Sequence, residues 1–143
     1  MRERTAAARW NGSLKDGEGT MRLASGSYEG AYSFQSRFEE GDGTNPEELI
    51  AAAHAGCFSM AFAGDLGRAG HAPESVETDA SVHLGPVEGG FAITKIELRS
   101  RARVPGVDPD EFQEIARGAK ENCPVSKALA AVESIELDAQ LVE

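Results

Sequence analysis

The sequence predicts an α+β domain built on antiparallel sheet, from three observations. Glycine-punctuated segments of alternating polarity fill the first forty residues. Two helices open with the same signal, a capping residue followed by proline and then glutamate. Long alternating strands lie between those helices and at the carboxyl end. At 143 residues the chain reads as one domain, residues 1–143, with enough length for a real core.

At the amino end Ala8, Trp10, Gly12 and Leu14 alternate with polar residues before the turn signal Lys15-Asp16-Gly17-Glu18-Gly19. Tyr32, Phe34 and Phe38 share one face of a later strand, which puts Arg37 on the opposite face. Glu39 to Thr44 is a loop. The first long helix begins with Asn45 as N-cap, Pro46 at the first helical position and Glu48 at the third, as in a capping box. From Leu49 to Leu66 it is apolar nearly all round, the pattern of a helix buried on most sides.

Val76, Thr78, Ala80, Val82 and Leu84 then alternate, and Gly85-Pro86 and Gly89-Gly90 flank a hairpin turn. Ile96, Leu98, Ser100, Ala102 and Val104 keep a period of two. Phe91 and Ile93 fall out of phase with them, so a bulge near Thr94–Lys95, or burial on both faces, is expected. Arg99, Arg101 and Arg103 form a charged stripe that reads as a solvated face. The second helix opens at Asp108, Pro109 and Glu111 and ends near Asn122-Cys123. Pro124 restarts a short helix through Ala131, and Ile135, Leu137, Ala139 and Leu141 line a last strand.

A formal net charge of −10 and the lack of a dominant Lys/Arg cluster argue against nucleic acid and anionic membranes. Met1 to Trp10 carries no apolar targeting segment. The longest apolar-rich run, Leu49 to Ala63, is 15 residues and is read as too short to span a bilayer. A cytoplasmic location is the expectation.

The two cysteines, Cys57 and Cys123, stand 66 residues apart with no Cys-x-x-Cys motif. In a reducing compartment they are either inert core thiols, which composition favours, or a pair oxidised transiently during a reaction. At the start of a short helix Cys123 would gain a thiolate from the helix dipole. Cys57 lies in an apolar helix, where burial alone would leave it protonated. Local electrostatics therefore select Cys123. A reactive Cys57 needs a cation from elsewhere, and Arg37 is the candidate. His54 and Cys57 are spaced as metal ligands can be, but two donors are too few for a site. His54 reads instead as a core or interface histidine. Phe58, Met60 and Phe62 are packing, the wall of an apolar pocket, or both at once.

The runs Arg37-Phe38-Glu39, Gly43 to Ile50, Ala52 to Ala55 and Cys57-Phe58-Ser59-Met60-Ala61 resemble the OsmC branch of the OsmC/Ohr hydroperoxide-resistance family. Phe91 to Ile96, Val104-Pro105-Gly106-Val107 and Cys123-Pro124-Val125-Ser126 match the same branch in the same order. The resemblance implies an OsmC-like intertwined homodimer with two central helices, and a thiol peroxidase acting on organic hydroperoxides. It makes Cys57 the peroxidatic cysteine and Cys123 the resolving one, reversing the local choice. It makes Arg37 the active-site arginine and Glu47 its carboxylate partner, with no metal or organic cofactor. A small or lipoyl-type dithiol is the implied reductant.

Helix geometry adds a constraint. Ten residues separate Glu47 from Cys57, about 15 Å along a helix axis. Two groups so far apart on one straight helix cannot share a substrate, so Glu47, with Arg37, is expected to come from a second subunit. A dimeric carrier of an apolar small molecule, with incidental thiols, is the alternative function. A serine hydrolase lacks its Gly-x-Ser-x-Gly elbow.

Overall fold

A computed structural model describes residues 1–143. The class is α+β, as expected. Cα packing divides the chain into two compact units, Met1–Leu49 and Ile50–Glu143.

In the first unit β1 (Ala6–Asn11), β2 (Glu18–Leu23) and β3 (Glu29–Tyr32) form an antiparallel three-stranded sheet in sequence order. Gly19 in β2 is required by close approach. A Cβ there would stand 2.7 Å from the Trp10 and Tyr32 rings, which pack against each other at 5.3 Å.

One expectation fails in this unit. Phe34–Phe38 is not strand but a short helix, α1. Ser33 caps it in a reciprocal box with Ser36: each side chain binds the other residue's backbone N–H. Those local bonds override the aromatic period of two that suggested a strand. On the helix Phe34 and Phe38 are neighbours one turn apart, with ring centroids at 4.9 Å.

Helix α2 (Pro46–Arg68) begins in the first unit and runs through the second. Asn45 caps it as expected, its Oδ1 accepting the Glu48 N–H at 2.8 Å. Glu48 does not complete the box: its carboxylate accepts from the Thr44 hydroxyl instead.

In the second unit β4 (Ser75–Val87) and β5 (Gly90–Arg103) form an antiparallel hairpin closed by Glu88-Gly89, with Gly89 at φ +87°. The register slips between His83 and Leu84, which oppose Lys95 and Ile93. Thr94 is thus the extra residue, the bulge that the change of phase after Ile93 foretold. Arg99, Arg101 and Arg103 are exposed, and Arg101 pairs with Glu77 and Asp79 across the hairpin.

Helix α3 (Pro109–Asn122) is capped by Asp108, whose Oδ2 accepts the N–H groups of Asp110 and Glu111. Helix α4 (Pro124–Ala128) follows at once and stops short of the expected Ala131. Strand β6 (Ser134–Val142) then returns beside β5, but parallel to it. The sheet, expected to be antiparallel, is therefore mixed. Helices α3 and α4 form the crossover that a parallel neighbour requires and a hairpin cannot supply.

The core gathers Phe58, Phe62 and Leu66 of α2 with Ile96, Leu98 and Ala102 of β5 and Phe112, Ala116 and Ala119 of α3. Phe62 and Phe112 meet at 5.2 Å. Burial on α2 is one-sided, contrary to expectation. His54, Phe58, Phe62 and Leu66 are buried, while Ala52, Ala53, Gly56 and Met60 lie exposed. The helix is also longer than its apolar run suggested. At 23 residues it has the length and apolarity to cross a membrane.

Candidate functional site

The candidate residues form two clusters, one in each unit. In Met1–Leu49 the capped turn of α1 presents Arg37. Its Nε reaches both Glu47 carboxylate oxygens, at 3.1 and 3.2 Å, and its Nη2 reaches Oε1 at 2.7 Å. This is the planar, paired arrangement expected of an arginine–carboxylate bond. Glu47 is almost wholly buried while Arg37 keeps about a third of its side chain exposed (37%).

The division of labour between the two glutamates follows from the helix start. Glu48 is held by Thr44, and Glu47 is free to take the guanidinium. A second set of bonds fixes the loop that joins them. Ser36 Oγ donates to the Thr44 carbonyl at 2.7 Å, and Asn45 Nδ2 donates to the Ser36 carbonyl at 3.0 Å.

Arg37 stands over the Phe38 ring at 5.3 Å and borders a cavity of about 410 Å³. Trp10, Leu14, Tyr32, Phe34 and Phe38 supply its apolar wall. In sequence Phe58, Met60 and Phe62 are open to reading as packing, as a pocket wall or as both, and packing holds for two of them. Phe58 and Phe62 are core, and Met60 is exposed. The usable signal was Phe34 and Phe38 at helical spacing around Arg37. It was missed because that segment was read as strand.

In Ile50–Glu143 the two thiols meet. Cys57 and Cys123 Sγ lie 2.7 Å apart, within hydrogen-bond reach and beyond the length of a disulfide bond. Cys123 closes α3 and opens α4, so its neighbours are the first N–H groups of a helix.

The two sulfurs shift in opposite directions. Burial pushes the Cys57 thiol up, and its bond to Cys123 pushes the same way, against one backbone N–H from Val125. Burial also works against ionising Cys123. There it is outweighed by the bond with Cys57, the Ser126 N–H and hydroxyl, and the Val125 N–H, which together hold the thiol below its ordinary value. The pair is thus biased so that Cys123 ionises before Cys57. No cation is among the groups that set the Cys57 thiol.

His54 is a buried core histidine, as read, with Nε2 at 2.7 Å from Ser126 Oγ. It has no metal-binding company, because no group of three His, Cys, Asp or Glu side chains gathers anywhere in the chain.

An α+β protein with two cysteines in contact across 66 residues, and a separate paired arginine and carboxylate, defines a class of thiol proteins. Comparison with known proteins narrows it. Residues 39–138 match the family model described as OsmC-like protein. The chain is 52% identical over 135 residues to Peroxiredoxin OsmC of Escherichia coli (strain K12), covering 94% of this chain and 93% of that one. It is 43% identical over 89 residues to the organic hydroperoxide resistance protein of Xanthomonas axonopodis pv. citri, covering 62% and 61%.

Among solved structures, OhrB of Bacillus subtilis superposes with a TM-score of 0.68 at 26% identity, covering 96% of this chain and 98% of that one. An OsmC-like protein of Mycoplasma pneumoniae gives 0.77 at 16% identity over 99% of both, a likeness of fold. The chain belongs to the OsmC family.

Proposed function

We propose that this protein is a cysteine-based peroxidase that reduces organic hydroperoxides to alcohols. The observation that carries the reading is the contact of Cys57 with Cys123, two thiols brought from distant segments to within one bond formation of a disulfide. The names borne by the relatives, peroxiredoxin and organic hydroperoxide resistance protein, agree with it.

Cys57, as thiolate, attacks the distal peroxide oxygen; the O–O bond breaks, the sulfenic acid remains, and the departing alkoxide takes a proton from solvent to leave as the alcohol. Cys123 displaces that hydroxyl, forming the disulfide, and a small or lipoyl-type dithiol restores both thiols. Arg37 lowers the Cys57 thiol and steadies charge on the departing oxygen, and Glu47 holds the guanidinium plane. The aromatic cavity beside Arg37 receives the organic tail. A disulfide formed only in turnover suits a reducing compartment, and we place the protein in the cytoplasm.

The working unit is a homodimer in which Arg37 and Glu47 of one chain serve Cys57 of the other. Two features support this. Helix α2 is continuous from Pro46 to Arg68, so the spacing between Glu47 and Cys57 stands. Its exposed stripe of Ala52, Ala53, Gly56 and Met60 is apolar and mostly small, suited to close approach of another helix. We read that stripe as a subunit contact and not a lipid contact.

Dithiol-dependent turnover of an organic hydroperoxide tests the reading in wild type, Cys57→Ser and Cys123→Ser. Cys57→Ser should lose turnover, and full activity there would overturn the assignment. A wild type without thiol-dependent turnover would favour the carrier reading, for which the aromatic cavity would be the binding site.

A further inference from the structure

Helix α2 buries a polar side chain that this reaction does not use. His54 is 0% exposed; its Nε2 meets Ser126 Oγ at 2.7 Å, and its Nδ1 has no partner. Ser126 is the third residue of α4, so its N–H and hydroxyl belong to the helix start that Cys123 caps.

A neutral imidazole has one N–H, and burial keeps His54 neutral by holding its pKa below 6.5. With that proton on Nδ1, a buried donor is orphaned and Ser126 must donate to Nε2. With it on Nε2, only a lone pair goes unused, the smaller penalty for a buried group. Ser126 then accepts from His54 and keeps its own hydroxyl proton for another acceptor. The Cys123 sulfur is the acceptor its place offers, since Cys123 is the N-cap of α4 and Ser126 its third residue, where the two side chains face each other across the first turn.

We propose that His54 and Ser126 are positioning residues for Cys123. His54 Nε2–H donates to Ser126 Oγ, and the Ser126 hydroxyl donates to the Cys123 sulfur, holding it as the thiolate that closes the disulfide. The proposal rests on the peroxidase reading for its place in the cycle. In that step the Cys123 thiolate attacks the sulfur of the Cys57 sulfenic acid. The S–S bond forms as the S–O bond breaks, and the departing hydroxide takes a proton from solvent to leave as water. Cys123 supplies the electron pair; the Cys57 sulfur, oxidised beforehand by the peroxide, accepts it.

The sulfurs stand 2.7 Å apart, close enough that charge on one disfavours charge on the other. A donor that favours thiolate at Cys123 therefore leaves the proton on Cys57. Removing the donor has opposite effects on the two steps: peroxide attack by Cys57 is not slowed, while disulfide closure is. A lesion that merely loosened the fold would slow both.

Single-turnover mixing with an organic hydroperoxide, following sulfenic acid and disulfide separately, reads this contrast. Ser126→Ala and His54→Leu should close the disulfide about tenfold more slowly, the worth of one hydrogen bond to a charged group. Peroxide attack should be unchanged or faster. His54→Gln, which can present an N–H where Nε2 stands, should recover closure.

A second measurement uses no peroxide. Thiolate ultraviolet absorbance of Cys57→Ser is titrated with and without Ser126→Ala, and the Cys123 midpoint should rise by about one pH unit. An unmoved midpoint, or both steps slowed together, overturns the proposal. If wild type consumes no hydroperoxide the peroxidase reading falls, and the titration still decides the role of His54 and Ser126.

Discussion

The two clusters are built in opposite ways. Arg37 and Glu47 are ten residues apart, and local devices join them: a capped turn at Ser33, a second cap at Asn45 and a hydrogen-bonded loop between. Cys57 and Cys123 are 66 residues apart, and only the packing of α2, β5 and α3 brings them together. The charged pair remains open to solvent on one side, whereas Cys123 is fully buried. A rigid, locally made cation site and a tertiary thiol site can therefore be perturbed one at a time.

The sharpest break between them uses two damaged chains. Arg37→Ala alone should lose on the order of a hundredfold or more in kcat/KM, the loss expected when a charge-stabilising donor is removed. Cys57→Ser should be inactive. Mixed in equal amounts and allowed to exchange subunits, the two should regain about a quarter of the wild-type sites, because under the proposed dimer a mixed pair would hold one intact site of its two. Absence of recovery in a verified mixed dimer would place each site within one chain.

Phe112→Ala strikes the thiol cluster through its support. Phe112 is fully buried against Phe62, and its helix ends on Cys123. Unfolding in urea should show a loss of about 3–5 kcal/mol, with slower disulfide closure. Asn45→Ala is the corresponding cut in the local cluster. Removing its cap bond should cost about 1 kcal/mol in the same assay and lower activity by weakening the Arg37–Glu47 geometry.

A smaller effect comes from pH. Folding lowers the His54 pKa from 6.5 by burying the ring, so the unfolded chain binds a proton that the folded chain refuses. That contribution to stability is complete above pH 6.5 and is lost as pH falls from there toward the folded value. Urea midpoints across that window should decline in wild type, and less in His54→Gln.

These contrasts also explain what could be read from sequence. Helix starts at Asn45 and Asp108 were legible because caps and prolines act within four residues. The bulge at Thr94 was legible as a change of phase. The helix at Phe34–Phe38 was not, because Ser33 and Ser36 outweigh an aromatic alternation that suits a strand equally well. The parallel return of β6 was not legible either, since an alternating pattern carries no strand direction.

At the site, the Arg37–Glu47 pair was legible only through the family resemblance, because Glu48 is held by the Thr44 hydroxyl and not by the cap that its position suggested. The lowering of the Cys123 thiol was legible in part: its place before Pro124 foretold the Val125 and Ser126 N–H groups, but the bond with Cys57, the largest of the lowering causes, comes from tertiary packing. The bond of His54 to Ser126 spans 72 residues and left no local trace. The exposed stripe on α2 was hidden for a different reason: an apolar surface reads the same whether its own chain or another molecule covers it.

The parallel pairing of β6 with β5 has a consequence for the order of folding. Strands β4 and β5 meet through a two-residue turn, a closure that costs little chain entropy. Strand β6 must wait until the whole crossover has formed, and that crossover carries Cys123. Contacts so distant in sequence form slowly. A newly made chain therefore holds Cys57 for an interval without its partner sulfur. A sulfenic acid formed on Cys57 in that interval has no neighbouring thiol to trap it, so a further equivalent of oxidant can carry it on to the sulfinic acid.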